Sequence, residues 1–502
     1  MEKLTRRQAL RLGIVGGFVA ASAALLSACG GSSTAPPSPP VSTSAPVAGA
    51  PTQPPAAPSQ SAASTVVPAL LPAVSPGATA SAAVPGPELV VKPPRSPSPI
   101  TLRFNMRSGG EKSEPAIYVD RPREWSEATG DKVKLEPTPG GTDYIPKIEA
   151  LAASNTLGDL VFTSEGYLEH SQLVRFNVLE PMDSYLQTYK VSKDEWFKAI
   201  VDGMTYNGKM YGLPKTGYPP DAYIWINLQM FKDAGIAEPP TYGNTFDDIR
   251  EWANKLSKGP KDSREVYGYS TANTGIWPVT QGVRQFGSDL IAKDGLTSLV
   301  DQQGFADWLN WNYQLVVKDK VHPLAQALPS GGTAPMFAAE RVAMVHEDRS
   351  FLFGARAAVQ NKFPFTSIQY PRGPKALPWG TDINTHSVTA SSKYKDEAFS
   401  LSYALADRRF AYLVGKTQGY LTGRVDNLED LGPYANDHFI QLQYKCETQE
   451  GPFWRAKNLR AYEIQTTLNN TLDLIWLGKR EPDQSFIGDL KKALDEVLSK
   501  PA

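Results

Sequence analysis

Ile100-Thr101-Leu102-Arg103-Phe104, Asp131-Lys132-Val133-Lys134-Leu135-Glu136 and Asp159-Leu160-Val161-Phe162 are the three runs whose reading decides the fold. The first alternates apolar and polar residues out of a Pro/Ser cluster, the second follows a Thr129-Gly130 stop, and the third is short and mostly apolar. Each reads as a β-strand. Between the last two, Ile145, Ile148, Leu151 and Ala152 recur at helical spacing and end at Asn155. Strand, helix, strand, helix, strand predicts a parallel, doubly wound α/β sheet. Downstream, Thr245-Phe246-Asp247-Asp248 has the capping-box pattern and leads Ile249, Trp252, Ala253 and Leu256 along one helical face, so a second α/β region is expected.

The chain has 502 residues, more than one hydrophobic core usually organises, and at least two lobes are expected. Residues 31–97 hold 17 of the 42 prolines, only three charges (Glu88, Lys92, Arg95) and no Phe, Trp or Tyr, a composition that cannot bury a core. All ten Trp and all 21 Tyr therefore belong to the body that begins near Ile100. Residues 98–502 carry 45 basic and 50 acidic side chains, which disfavours a partner tracked through its phosphates, so no nucleic acid is expected. Beyond residue 28 no run of 18 apolar residues exists, which excludes a polytopic membrane protein.

Ahead of the body, Met1–Arg11 (MEKLTRRQALR) is a basic n-region and Leu12–Ala28 an uncharged stretch rich in Gly, Ala and Ser, the anatomy of a signal peptide over residues 1–28. Arg6-Arg7 followed by Gln8-Ala9-Leu10 resembles a twin-arginine export signal. Leu26-Ser27-Ala28-Cys29 resembles the bacterial lipobox, which implies a lipidated Cys29 and an extracytoplasmic protein anchored to the cell membrane. Residues 29–99 then read as that Cys and a disordered Pro/Ala/Ser tether with a flexible reach of roughly 50 Å, or about 200 Å drawn out as polyproline II. Cys446 is left without an intramolecular partner and reads as a small buried hydrophobe.

Tyr206-Asn207-Gly208-Lys209-Met210-Tyr211-Gly212-Leu213-Pro214, Tyr223-Ile224-Trp225-Ile226-Asn227, Met230-Phe231-Lys232-Asp233-Ala234-Gly235-Ile236 and Pro239-Pro240-Thr241 closely resemble a stretch of family 1 extracellular solute-binding proteins, the maltose-binding-protein-like receptors of ABC importers. Leu151–Asn155, Gly158–Val161, Leu179–Asp183, Met336–Ala338, Val342–Met344 and Trp476–Lys479 continue the resemblance in order over nearly all of residues 100–495. Two segments depart from it, Val345–Phe351 and the long Lys215–Ala222, and both face the cleft in the family, so a ligand does not transfer.

The resemblance implies a periplasmic-binding-protein-like fold: two doubly wound α/β lobes joined by crossing hinge segments, with residues 100–216 and 381–424 in the first and 217–380 and 425–502 in the second. A small solute held between lobes is desolvated from both sides on closure. Position in the family and residue chemistry nominate Arg107 and Glu111 after the first strand, and Glu165 and Tyr167 after Leu160–Phe162, a carboxyl-end loop of the kind where open α/β sheets place ligands. Tyr218 and Tyr223 flank the first crossing. Trp277, Asp348, Arg349, Asp382, Trp454 and Arg455 complete the set. A carbohydrate is the expected solute, its apolar faces stacked on rings and its hydroxyls on carboxylates and arginines, with an acidic sugar or organic anion as the alternative. An ABC permease is the expected protein partner.

An enzyme needs a constellation that the sequence does not present. The five histidines form no HExxH or short metal-ligand pair, and neither GxSxG nor GxGxxG occurs. Gly415-Lys416-Thr417 resembles the end of a P-loop, but Phe410 stands where the upstream Gly belongs. Adjacent Glu347-Asp348 would suit a glycosidase only at a separation that sequence does not reveal. Catalysis, a metal and a cofactor are therefore not expected, and a sensory lipoprotein on the same fold is the third class.

Overall fold

The computed structural model describes residues 84–500 apart from 95–96, 109–113, 140–143, 165–168, 219–221, 272–273, 325–327, 329–331, 349–350, 420 and 447–457. The signal peptide, Cys29 and most of the tether lie outside the described residues, as do Glu111, Glu165, Tyr167, Arg349, Trp454, Arg455 and the side chain of Tyr218.

The opening strands form as their alternation predicts: β1 (Thr101–Ser108), β2 (Lys132–Pro139) and β3 (Leu160–Ser164), connected by helices α1 (Glu114–Thr129) and α2 (Tyr144–Ala153). Gly130 ends α1 with φ +83°, a left-handed conformation that a Cβ would strain, and its N–H closes the last turn onto Ser126 O at 2.9 Å. Both β2 and β3 pair parallel to β1.

Beyond these three strands the all-parallel expectation fails. The five-stranded sheet has the order β2-β1-β3-β9-β4, with β4 at Leu213–Tyr218 and β9 at Asp382–Val388, and β9 runs antiparallel to both β3 and β4. The reason is topological. The chain leaves this sheet through β4, builds a second one, and re-enters from the carboxyl ends of the strands, so the returning segment must run the other way.

The second sheet has four strands, β5 (Tyr223–Asn227), β6 (Tyr267–Thr271), β7 (Val342–His346) and β8 (Phe365–Gln369), in the order β8-β5-β7-β6. Its β7 and β6 are parallel and the other pairs antiparallel. Every residue of β5 and of β7 is buried, as expected of strands covered on both faces. Helix α4 (Phe246–Leu256) starts with the predicted capping box: Thr245 Oγ1 accepts the Asp248 N–H at 3.1 Å, and the Asp248 carboxylate accepts the Thr245 N–H at 2.8 Å. Ile249, Ala253 and Leu256 face inward, and Trp252 packs edge-on against Phe231.

Helices α5 (Ile276–Gln285) and α6 (Gln303–Tyr313) join the C-terminal helices α9 (Ala461–Trp476) and α10 (Gln484–Leu498) in a separate apolar cluster of the second lobe. Trp308 is buried there, edge-on to Trp476, while Trp311 packs on Phe246, so both serve packing. Helices α7 (Lys395–Ala404) and α8 (Arg408–Gln418) return to the first lobe and complete its core. Cys446 is buried in the core around the second sheet. No helix among the described residues is long and apolar enough to cross a membrane.

The Pro-rich stretch reaches further into the fold than its composition suggested. Leu89 and Val91 are buried in the first-lobe core, Ser400 Oγ donates to Val91 O at 2.8 Å, and the Arg121 guanidinium donates to Pro87 O at 2.8 Å. The stretch as a whole is too poor in apolar residues to fold, but two of them docked on a preformed surface lose their exposure without needing a core of their own. A chain starting at Ile100 is expected to be about 3 kcal/mol less stable than one starting at Val84, from two lost aliphatic burials and their hydrogen bonds. Urea titration of both measures it, and equal midpoints would show the docking to be worthless.

Candidate functional site

In the first lobe, Arg107 is the penultimate residue of β1, Asp382 opens β9, and Lys215 lies in β4. Antiparallel entry brings the start of β9 to the carboxyl ends of its neighbours, with Asn384 beside Ser164 and Asp382 beside Tyr218. Phe162 links the cations: the Arg107 guanidinium carbon lies 5.7 Å from its ring centroid and Lys215 Nζ 5.4 Å. Lys215 is 3% exposed and Asp382 7%. Asn384 Nδ2 donates to Thr216 Oγ1 at 2.8 Å, tying β9 to β4 at this end. Below them His386 is held well under the usual histidine range, first by burial and then by the charge of Lys215, so it sits as a neutral packing group.

In the second lobe the positions named from sequence separate by burial. Trp277, on the first turn of α5, packs into the same cluster as the first-lobe core and is 6% exposed. A Cβ on Gly380 would come within 2.9 Å of the Trp277 ring and 2.2 Å of Gln281 Nε2, which is why the returning crossing carries glycine there. Tyr223 is 1% exposed and tilted against Trp225. Neither ring offers a broad open face. Asp348 is partly buried just after β7.

The lobes also touch away from the crossings. Helix α3 (Glu169–Arg175) meets α9 through Arg175 Nη1 and Glu463 Oε1 at 3.4 Å, and Glu463 is shared with Arg460 at 2.7 Å. The same α9 caps the start of α5, Asn469 Oδ1 accepting the Gly275 N–H at 2.6 Å and Gln465 Oε1 the Ile276 N–H at 3.2 Å.

A cavity of about 340 Å³ opens where β6 and β7 end, walled by Ser270, Thr271, Thr274, His322, Thr333, Glu347, Asp473 and Trp476. Glu347 is fixed at both ends, its carbonyl accepting the Trp225 indole N–H at 3.1 Å and its carboxylate the Thr333 hydroxyl. Burial, with a smaller push from the charge of Asp348, raises the Glu347 carboxyl to about 7, against the pull of the Thr333 hydrogen bond. His346 Nδ1 lies 2.8 Å from Thr271 Oγ1, its ring stacked on Tyr370 with centroids 4.0 Å apart. Among the described residues no group of His, Cys, Asp and Glu is placed to hold a metal ion.

Sequence reasoning passed over Lys215, Phe162, Thr333 and Asp473, and named Glu347 only as half of a possible catalytic pair. Lys215 follows the Leu-Pro of the family stretch, and Glu347 adjoins Asp348, so each carried a signal. Asp473, one charge on a long amphipathic helix, carried none.

Two α/β lobes joined by crossing segments, with polar groups gathered at the strand ends, define a binding protein that holds a solute between lobes. The chain belongs to the bacterial extracellular solute-binding protein family, whose model matches residues 112–406. Its fold is shared with the ABC substrate-binding protein Lmo0181 from Listeria monocytogenes in complex with cycloalternan, at 18% identity over 80% of this chain and 99% of that one, with a TM-score of 0.69. An ABC transporter solute-binding protein from Thermotoga lettingae bound with α-D-tagatose is similar at 20% identity, 80% and 100% coverage and TM-score 0.68. UgpB from Mycobacterium tuberculosis in complex with glycerophosphocholine is similar at 17% identity, 80% and 99% coverage and TM-score 0.67. No curated protein sequence matches the chain. The family and the first two of these neighbours are solute- or substrate-binding proteins.

Proposed function

We propose that this chain is the membrane-anchored, extracytoplasmic receptor of an ABC importer that closes its two lobes on a carbohydrate and presents it to a permease without chemical change. The family match carries the reading, and the arrangement of hydrogen-bonding groups at the strand ends of two lobes suits the task. Leu26–Cys29 supports the lipid anchor. The first lobe spans 100–216 and 381–424 and the second 217–380 and 425–502. Arg107, Glu111, Glu165, Tyr167, Tyr218, Asp348, Arg349, Asp382, Trp454 and Arg455 are the proposed lining of the ligand space, with the buried Tyr223 and Trp277 supporting it from behind. Solute-binding neighbours with cycloalternan and tagatose support a sugar.

One observation favours a second reading. Arg107 and Lys215 converge on Phe162 in the first lobe, and two cations side by side suit a carboxylate or phosphate. A thermal-shift panel of oligosaccharides, acidic sugars and organic anions separates the two, because a ligand specific to the native state stabilises it by about 2.7 kcal/mol at a hundred times its Kd. The bound solute should also shrink the radius of gyration as the lobes close. An anion that shifts the protein where sugars do not would replace the carbohydrate. A glycoside that is turned over would end the receptor reading.

A further inference from the structure

The second-lobe cavity has a charge character that differs from the first-lobe strand ends. Two carboxylates line it, Glu347 and Asp473, together with the Trp476 ring, and among the described residues no lysine or arginine does. Its one histidine, His322, has Nε2 2.8 Å from the Thr271 carbonyl, and burial lowers its affinity for a proton. Ser270 is 2% exposed, lines the cavity, and its hydroxyl has no hydrogen-bond partner among the described residues. Glu347 is anchored at its carbonyl by Trp225 and at its carboxylate by Thr333, so it does not swing out to water to find a counterion.

An anion would meet two carboxylates and no cation among the described lining residues. A neutral hydroxyl would satisfy Ser270 but leave the ionised Glu347 carboxylate buried close to Asp348, with its charge uncompensated among the described residues. A protonated amine has three N–H donors for a carboxylate, a second carboxylate and a hydroxyl, and an indole wall adds attraction for a cation. The volume of about 340 Å³ holds a group of sugar size but not a folded peptide. All the wall residues belong to the second lobe or to α9, so the cavity exists before the lobes close.

We infer that the solute carries a protonated amine, seated in the second-lobe cavity against Glu347 and Asp473. This deepens the receptor reading and rests on it, since it names a group on the solute captured between the lobes. An amine on a sugar scaffold reconciles the acid-lined cavity with a carbohydrate receptor.

The test is calorimetric titration of the full chain at about pH 7.5, where the Glu347 carboxyl is mostly ionised, with glucosamine, glucose, N-acetylglucosamine and ethanolamine, repeated with Glu347→Gln and Asp473→Asn. Asp473 is exposed, so its substitution does not endanger folding. Glucosamine should bind at least about tenfold more tightly than glucose or N-acetylglucosamine, and Glu347→Gln should erase that preference while Asp473→Asn reduces it severalfold. Equal affinity for glucosamine and glucose, or a preference that survives Glu347→Gln, would overturn the inference and leave the receptor standing. If no sugar compacts the lobes, the carbohydrate reading falls, and ethanolamine decides the cavity by itself: binding that Glu347→Gln abolishes supports the amine site, and no binding refutes it.

Discussion

Glu347→Gln is expected to stabilise the protein at pH 8 by about 3 kcal/mol and to leave it unchanged near pH 4. The carboxyl titrates at about 7 in the native state, against 4.5 when unconstrained. Below 4.5 it is protonated in both states and costs nothing. Between 4.5 and 7 the native state holds the proton that the unfolded state releases, so native stability falls as pH rises. Above 7 the charge sits partly desolvated, close to Asp348, and the penalty is fully developed. Gln keeps a carbonyl to accept the Thr333 hydroxyl and carries no charge. Urea midpoints of parent and variant across pH 4 to 9 measure the difference. Two curves that stay parallel would mean that Glu347 is solvated as an ordinary carboxylate.

Asp407→Ala should be the most damaging single change outside the ligand space, at about 4 kcal/mol. Asp407 Oδ1 caps α8 by accepting the Phe410 N–H at 2.8 Å, and Oδ2 pairs with Arg121. Both charged groups are buried, with side-chain exposures of 0% and 4%. Arg121 also donates to Ala404 O at 3.1 Å and to Pro87 O, so it joins α1, the end of α7 and the docked Pro-rich segment. Burial pushes the Asp407 carboxyl upward although Arg121 and the Phe410 N–H draw it down. The pair as a whole therefore contributes little beyond an apolar substitute, whereas removing one partner strands a buried charge. Arg121→Met combined with Asp407→Ala should accordingly be less harmful than Asp407→Ala alone. A double-mutant cycle by urea unfolding checks this, and strictly additive losses would show that the two groups act separately.

What connects these expectations is the unequal treatment of charge at the two ends of the molecule. The Arg121–Asp407 pair, with Glu124, Arg409, Arg424 and Glu195 nearby, forms ion pairs that join α1 to α8 and tie Arg424 to Glu195. At the second-lobe strand ends the Ser270 hydroxyl lines the cavity with no hydrogen-bond partner among the described residues, and burial raises the proton affinity of Glu347. Binding sites keep such groups because a solute satisfies them.

Local pattern in the sequence determined the elements. Alternation in Ile100–Phe104, helical spacing in Ile145–Ala152, the Thr245–Asp248 capping box and the stop at Gly130 each involve neighbours within one turn or one strand, where backbone geometry alone decides the outcome. The order of short motifs from Leu151 to Lys479 was enough to place the chain in its family. Tertiary structure decided what those elements bring together. The direction of β9 follows from the route of the chain through the second lobe. Leu89 and Val91 are buried because a surface of α1 and α7 receives them. Trp277 lies in the first-lobe core because α5 reaches across to Gly380. The second-lobe cavity joins Ser270, Thr333, Glu347 and Asp473 from four elements, and no periodicity encodes such a meeting, because burial and charge at a site are sums over residues that are neighbours only in space.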